Sequence, residues 1–196
     1  MKRGKKTLPV VVLAVALLVL PLAGCMDANT PMETQLVLTD PAELAAEKAA
    51  ADTQSDTYGL VDLEYYYDFT ALPDGAELGE LKIANSVTRI SYTFGPTSDD
   101  SYENKMELVW YRAAQGSSFI SDIAANGDYR TLEGDGVQYL VRTIQAQSPE
   151  DVNKAIDFSQ LVFWAQDSHA FLAAVPLSFT DEDILHYCVA KEIPVK

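Results

Sequence analysis

Histidine and cysteine are rare in this chain, two of each in 196 residues, and Lys and Arg number 14 against 29 Asp and Glu. Each scarcity excludes something. Two cysteines allow one disulfide at most, so the fold is no disulfide scaffold. His169 and His186 have no partner at a His-x-x-x-His or Cys-x-x-Cys spacing, so no zinc-type ligand set is encoded. A formal net charge of −15 cannot supply the phosphate-neutralising surface that nucleic-acid binding requires, and nucleic acid is excluded as a main partner. The sequence also lacks a Gly-x-Ser-x-Gly elbow, a Ser-x-x-Lys pair and a phosphate-cradling Gly-x-x-x-x-Gly-Lys loop. What is present, 48% hydrophobic and 22% charged residues, is the composition of one globular domain with appendages.

The scarce basic residues are unevenly placed. Lys2, Arg3, Lys5 and Lys6 precede the apolar run Leu8 to Leu22, and no acid occurs before Asp27. That is the charged n-region and apolar h-region of an export signal. A membrane-spanning helix is the alternative, but it wants about 20 apolar residues, and Pro9 and Pro21 sit near the ends of this run. Leu22-Ala23-Gly24-Cys25 resembles the bacterial lipobox, in which the cysteine is acylated and becomes the new N-terminus. Residues 1–24 read as a lipoprotein signal peptide and Cys25 as the lipidation site. Either way, residues 26 onward lie outside the cytoplasm. The mature chain, stripped of its basic leader, is repelled by anionic headgroups, so acyl chains rather than a basic patch hold it at the membrane.

With Cys25 committed to lipid, Cys188 has no disulfide partner and reads as a small buried hydrophobe. Residues 25–57 are polar, acidic and alanine-rich, and read as a tether. Within them Asp40 is placed to cap a short helix that has Pro41 in its first position, where the missing N–H costs nothing. Whether that helix docks is left open.

The globular domain is expected over 58–196. Leu60 to Phe69 is rich in aromatic and β-branched residues and stops at the turn Leu72-Pro73-Asp74-Gly75. Period-two alternation then marks strands around Leu81 and Ile83, Thr88 to Phe94, Met106 to Trp110, and Val137 to Thr143. Ser117 to Ala125 is a helical turn or an irregular connection. Phe158 to Trp164, apolar on both faces, reads as a central strand, and Gln166-Asp167-Ser168 turns it into a hairpin with His169 to Val175. Thr180 to Asp183 is a capping-box helix start, and Ile184, Leu185, Cys188, Val189 and Ile193 share the apolar face of the helix that follows. The fold class predicted is α+β: an antiparallel sheet of about six strands with a C-terminal helix packed on one face.

This order of turn, alternating strands, a strand ending in Trp164, a hairpin and the Leu177-Ser178-Phe179-Thr180-Asp181-Glu182-Asp183 helix start resembles an uncharacterised domain family of outward-facing Gram-positive bacterial proteins, many of them lipoproteins or membrane-anchored anti-sigma-like proteins. The resemblance spans Tyr58 to Ile193 and implies an extracytoplasmic location; the family has no established chemistry to carry over.

Candidate sites are few. Asp99, Asp100, Ser101 and Glu103 form an oxygen-rich loop that is a calcium candidate, without the glycine and terminal glutamate of an EF-hand. The acidic pairs Asp99-Asp100, Glu150-Asp151 and Asp181 to Asp183 stand where solvated acids are expected. Consecutive Tyr65, Tyr66 and Tyr67 are expected to leave at least one tyrosine exposed on the strand, and tyrosine is enriched at recognition surfaces. The function expected is therefore a non-enzymatic binding or sensory module, without a cofactor, that takes an envelope protein, peptide or polymer. The alternatives are a hydrolase using an acidic pair and a carrier of an apolar ligand between sheet and helix. The lipobox has a direct check: Cys25→Ala abolishes labelling with a radioactive fatty acid and stops lipoprotein-type cleavage, and a variant that still acquires lipid refutes the anchor.

Overall fold

Alternating apolar and polar residues build most of the main sheet. The structure is a computed structural model that describes residues 35–95, 102–147 and 155–196. Its elements, in chain order, are β1 (Leu36–Leu38), α1 (Leu44–Ala50), β2 (Tyr65–Phe69), β3 (Glu77–Ile83), β4 (Val87–Thr93), β5 (Lys105–Gln115), α2 (Gly116–Ala125), β6 (Arg130–Gly134), β7 (Val137–Gln147), β8 (Ala155–Gln166), β9 (His169–Val175), α3 (Asp181–Tyr187) and β10 (Ala190–Pro194). Eight strands form one antiparallel sheet in the order β1-β3-β4-β5-β9-β8-β7-β6, and β2 pairs with β10 in a separate antiparallel ribbon.

Register decides which side chains share a face. Leu81 opposes Ile90, which opposes Leu108, which opposes Ala173, which opposes Val162, so one apolar row crosses five strands. Trp110, Phe171 and Trp164 form the next row, and the ribbon packs over this face to make the larger core. The opposite face carries Lys82, Arg89 and Glu107 on the β3 to β5 side, with Arg89 and Glu107 paired at 3.6 Å. On the β8 side of that face α2 lays Phe119 against Tyr111 and Phe163 at ring separations of 5.0 and 6.2 Å.

The capping signals act as the sequence predicts. Asp40 accepts a hydrogen bond from the Ala42 N–H at 2.9 Å, with Pro41 first in a short 3-10 turn ahead of α1. Thr180 and Asp183 close the capping box of α3. The β8–β9 turn puts Asp167 and Ser168 at φ of 49° and 70°, the left-handed pair that a tight hairpin demands. β8 runs between β7 and β9 as an inner strand.

Four expectations are corrected. The main sheet has eight strands, not about six, among the described residues, and two more form the ribbon. β1 and β10 are short strands that no alternating pattern marks, and each exists because of a partner far along the chain. The segment read as a tether contributes to the fold from residue 36: β1 pairs with β3, and Leu38 and Leu44 are buried in the core. Its low hydropathy hides this because only a few of its side chains point inward. Ser117 to Ala125 lies within a regular helix, α2. The last helix ends at Tyr187, and Ile193 belongs to β10; Ile184 and Cys188 are fully buried, and Leu185 lies against Gly134 of β6. The apolar spacing of residues 184 to 193 fits a helix for one stretch and a strand for the next, and spacing alone does not show the change of period.

At the α3 entrance Gln160, itself buried, donates from Nε2 to the carbonyls of Pro176, Leu177 and Phe179 and accepts from Arg130 Nη2 at 2.7 Å, while Arg130 also pairs with Asp181. The docked segment makes a sharp forecast: Leu44→Ala, at a side chain only 1% exposed, costs about 2–5 kcal/mol in denaturant unfolding. A midpoint equal to wild type would return residues 36–50 to a tether.

Candidate functional site

Consecutive tyrosines in a strand must point to opposite faces, yet Tyr66 and Tyr67 are only 7% and 6% exposed. The ribbon is covered on both sides. Tyr65, Tyr67 and Phe69 point at the main sheet: Tyr67 meets Trp110 and Phe171 at ring separations of 5.0 and 4.9 Å, and Phe69 meets Tyr92 at 6.3 Å. Tyr66 points the other way, into an open groove of about 280 Å³ lined by Pro41, Leu44, Ala45, Ile193 and Val195. The expected exposed tyrosine is thus corrected to Tyr65 alone, half-buried at the ribbon end. The reason is a layer that strand alternation cannot reveal: α1 lies across the second face.

Around Tyr65 the structure gathers residues from four separate strands. Its ring stacks on Trp110, with centroids 5.4 Å apart and planes 24° apart. His169, first residue of β9, stands nearly perpendicular to Tyr65 at 6.3 Å and close to Tyr67 and Trp110 at 5.3 and 5.6 Å. Offset-stacked and edge-to-face rings of this kind hold one another rigidly. Glu192 opposes Tyr67 across the ribbon, and Asp167 sits in the turn before His169. Burial raises the Tyr67 phenol to about 12, and the neighbouring Tyr65, Glu192 and Asp167 add to the effect. Tyr67 therefore keeps its proton at any physiological pH, and the cluster presents aromatic rings beside two exposed carboxylates.

Sequence reading named Tyr65 and His169 separately. It missed that β2 crosses the sheet where β9 begins, and it missed Asp167 and Glu192 as partners of the same patch. The one signal available was the spacing of Tyr65 and Tyr67 on one strand face.

The remaining candidates stand apart. Cys25, Asp99, Asp100, Ser101, Glu150 and Asp151 lie outside the described residues; Glu103 sits in a one-turn helix, Tyr102–Asn104. No group of three metal-ligating side chains converges among the described residues. Asp183 is held below its ordinary value by hydrogen bonds from the Thr180 backbone and hydroxyl, so this acid serves the helix start. His186 lies on α3, against Tyr187. Cys188 is fully buried, and desolvation pushes its thiol far up.

Two acids are pushed the opposite way. Glu107 is raised by burial, partly offset by Arg89. Asp68 is raised by burial although it accepts from the Tyr92 hydroxyl at 2.9 Å and from the Phe69 N–H at 2.7 Å. They do not form a pair: Glu107 shares the α2 side of the main sheet with Arg89, and Asp68 belongs to the ribbon on the other side.

No family model, curated protein or solved structure matches the chain.

Asp68 yields a pH prediction. Its folded form holds the proton more tightly than the unfolded chain does, so stability falls as pH rises from the ordinary carboxylate range through the raised folded value. Asp68→Asn keeps an oxygen for Tyr92 and removes the charge. The variant melts higher than wild type at neutral pH, and the gap closes as acid protonates Asp68 in both states. A variant less stable at neutral pH would show that the carboxylate charge is a net benefit.

Proposed function

We propose that this chain is a bacterial lipoprotein, anchored through Cys25 on the outer face of the cytoplasmic membrane, whose domain is a non-catalytic binding module. The observation that carries the reading is the partly buried Tyr65 stacked on the buried Trp110 beside His169. Aromatic side chains already locked by packing lose little entropy on binding and serve as interface anchors. The partner is an envelope protein, peptide or polymer. Membership of the uncharacterised extracytoplasmic family belongs to the same reading, supported by the turn with Gly75 at a φ of 74° and by the capping box at Thr180. So does closure of the β6 side of the ribbon-covered face by α3, supported by the burial of Ile184 and Cys188.

The hydrolase alternative is less well supported. Glycoside hydrolysis needs two carboxyl groups across one cleft, one of them with a raised pKa. Asp68 and Glu107, the acids so raised, sit on opposite sides of the main sheet. The groove beside Tyr66, about 280 Å³, lies between α1 and the ribbon rather than between the sheet and α3, where the carrier alternative places its ligand.

Anchoring also sets distance. With β1 beginning at Leu36, eleven peptide units separate it from Cys25, a reach of at most about 40 Å at roughly 3.3–3.6 Å per residue.

The test uses the full chain, immobilised and exposed to detergent-solubilised envelope. Tyr65→Ala lowers partner capture by about thirtyfold, the loss typical of a central interface tyrosine, while the domain still unfolds cooperatively with a stability lower by about 2–3 kcal/mol, the loss of three ring contacts and part of the buried area. Turnover of an envelope glycan or peptide that disappears on changing Asp68 or Glu107 would replace this reading with the hydrolase.

A further inference from the structure

A strand at the edge of a sheet offers unpaired N–H and C=O groups to any chain that can lie beside it, and folded proteins block such edges. Among the described residues β1 and β6 flank the main sheet, and β2 and β10 are the two sides of the ribbon. Three of these edges are blocked. β1 is only three residues long. On β2 the Asp68 carboxylate accepts the Phe69 N–H, and Tyr66, Tyr67 and Phe69 are buried. On β10 the Gln166 amide takes both backbone groups of Ala190, and Pro194 has no N–H to offer.

β6 is different. It pairs with β7 over all five of its residues without a register shift, and Arg130, Thr131 and Glu133 are exposed. The turn between the two strands decides which backbone groups face outward. Asp135 and Gly136 have φ of 50° and 78°, the two-residue turn whose flanking residues, here Gly134 and Val137, form a hydrogen-bonded pair. Alternation along the ladder makes Leu132 with Tyr139, and Arg130 with Val141, the next such pairs. The N–H and C=O of Thr131 and Glu133 are thereby turned away from β7. The Arg130 guanidinium is held by Gln160 and Asp181.

Such an edge accepts an antiparallel strand, and β6 is its own complement. With Thr131 set opposite Glu133 of a second copy, the outward residues of both copies exchange backbone hydrogen bonds. Leu132 then faces Leu132 across a twofold axis, and each Glu133 carboxylate meets a threonine hydroxyl instead of the other carboxylate. We propose that β6 pairs with β6 of a second copy, antiparallel about Leu132, so that the two main sheets become one continuous sheet. This surface is separate from the Tyr65 cluster and does not rest on it. One strand pair covers less than the roughly 1,200 Å² of a standard interface, and each chain carries −15, so the association is weak in dilute solution and strengthens with salt and with concentration.

Full-length protein in membranes of the producing cell is oxidised with copper phenanthroline and run on non-reducing gels. Leu132 faces its counterpart in a non-hydrogen-bonded pair, where Cβ atoms approach to about 4.5–5.5 Å, so Leu132→Cys yields a disulfide-linked dimer about tenfold above wild type, whose Cys188 is buried. Glu133→Cys, two residues out of register with its counterpart, stays at the wild-type level. Thr131→Pro removes one outward N–H without touching the β7 ladder, and added to Leu132→Cys it returns the crosslink to that level. Leu132 packs against the core, so a second measurement uses the wild-type side chain. Amide exchange at Thr131 and Glu133 slows about tenfold as the protein-to-lipid ratio is raised, and Thr131→Pro removes the slowing at Glu133. In a Leu132→Cys chain that still unfolds cooperatively, a crosslink no stronger than that of Glu133→Cys, or one that survives Thr131→Pro, overturns the β6 pairing. Thr131 and Glu133 amides that exchange equally fast at every ratio overturn it as well.

Discussion

The β2–β10 ribbon lying across the apolar face of the main sheet is the constraint on which the other parts depend. Tyr67 and Phe69 enter the core between Trp110, Phe171 and Tyr92, and each fully buried side chain of this size contributes roughly 1.5–3 kcal/mol. The ribbon then offers a second face, and α1 covers it through Leu44. Remove the ribbon and α1 has nothing to rest on, the Trp110 row is bare, and the segment after α3 has no partner strand. The pairing also joins residues 65–69 to residues 190–194. Contacts of such separation carry a loop-closure cost, which burial of the ribbon's aromatic side chains against the main sheet offsets.

Placement of the ribbon is enforced at both ends. Where the chain enters β2, Arg112 donates to the carbonyls of Tyr58 and Gly59 at 3.2 and 2.8 Å and to that of Ala84 at 3.2 Å. Arg112 is available because β5 breaks register with β9 between Tyr111 and Gln115. Gly59 is required there: its φ is 67°, and a Cβ would lie 2.6 Å from the Asn85 side-chain oxygen. Asp56 adds three backbone hydrogen bonds, to the N–H groups of Tyr58, Leu60 and Val61. Where the chain enters β10, the Gln166 amide both donates to the Ala190 carbonyl at 2.8 Å and accepts from its N–H at 3.3 Å. Those contacts set the height at which Tyr65 meets Trp110 and His169. The aromatic cluster around Tyr65 is a product of fold geometry.

The acidity of the chain divides by role. Asp40, Asp56 and Asp183 satisfy backbone donors at turns and helix starts, where a carboxylate is stabilising. Asp181 pairs with Arg130, and Glu107 with Arg89. Asp167 and Glu192 are exposed, and both act on the Tyr67 phenol beside the aromatic cluster.

Much of this protein is determined by local pattern. The alternation around Leu81, Ile90, Leu108 and Val141 defines strands because each turns one row of side chains into the main core, and the caps at Asp40 and Thr180 define helix starts because the orphan N–H groups they bind are a few residues away. The turn at Gln166 to His169 follows from the same short-range logic. What tertiary structure alone decided is whatever depends on partners far along the chain. Leu36 to Leu38 is a strand because β3 offers an edge to it, and Ala190 to Pro194 leaves the helical period because Tyr65 to Phe69 lies beside it. Tyr66 is buried because α1 crosses over it, and Tyr65 meets His169 because a ribbon crosses a sheet at one particular angle. Each residue's own preferences are written within a few positions of it; which surfaces meet is settled by the burial of apolar area summed over the whole chain.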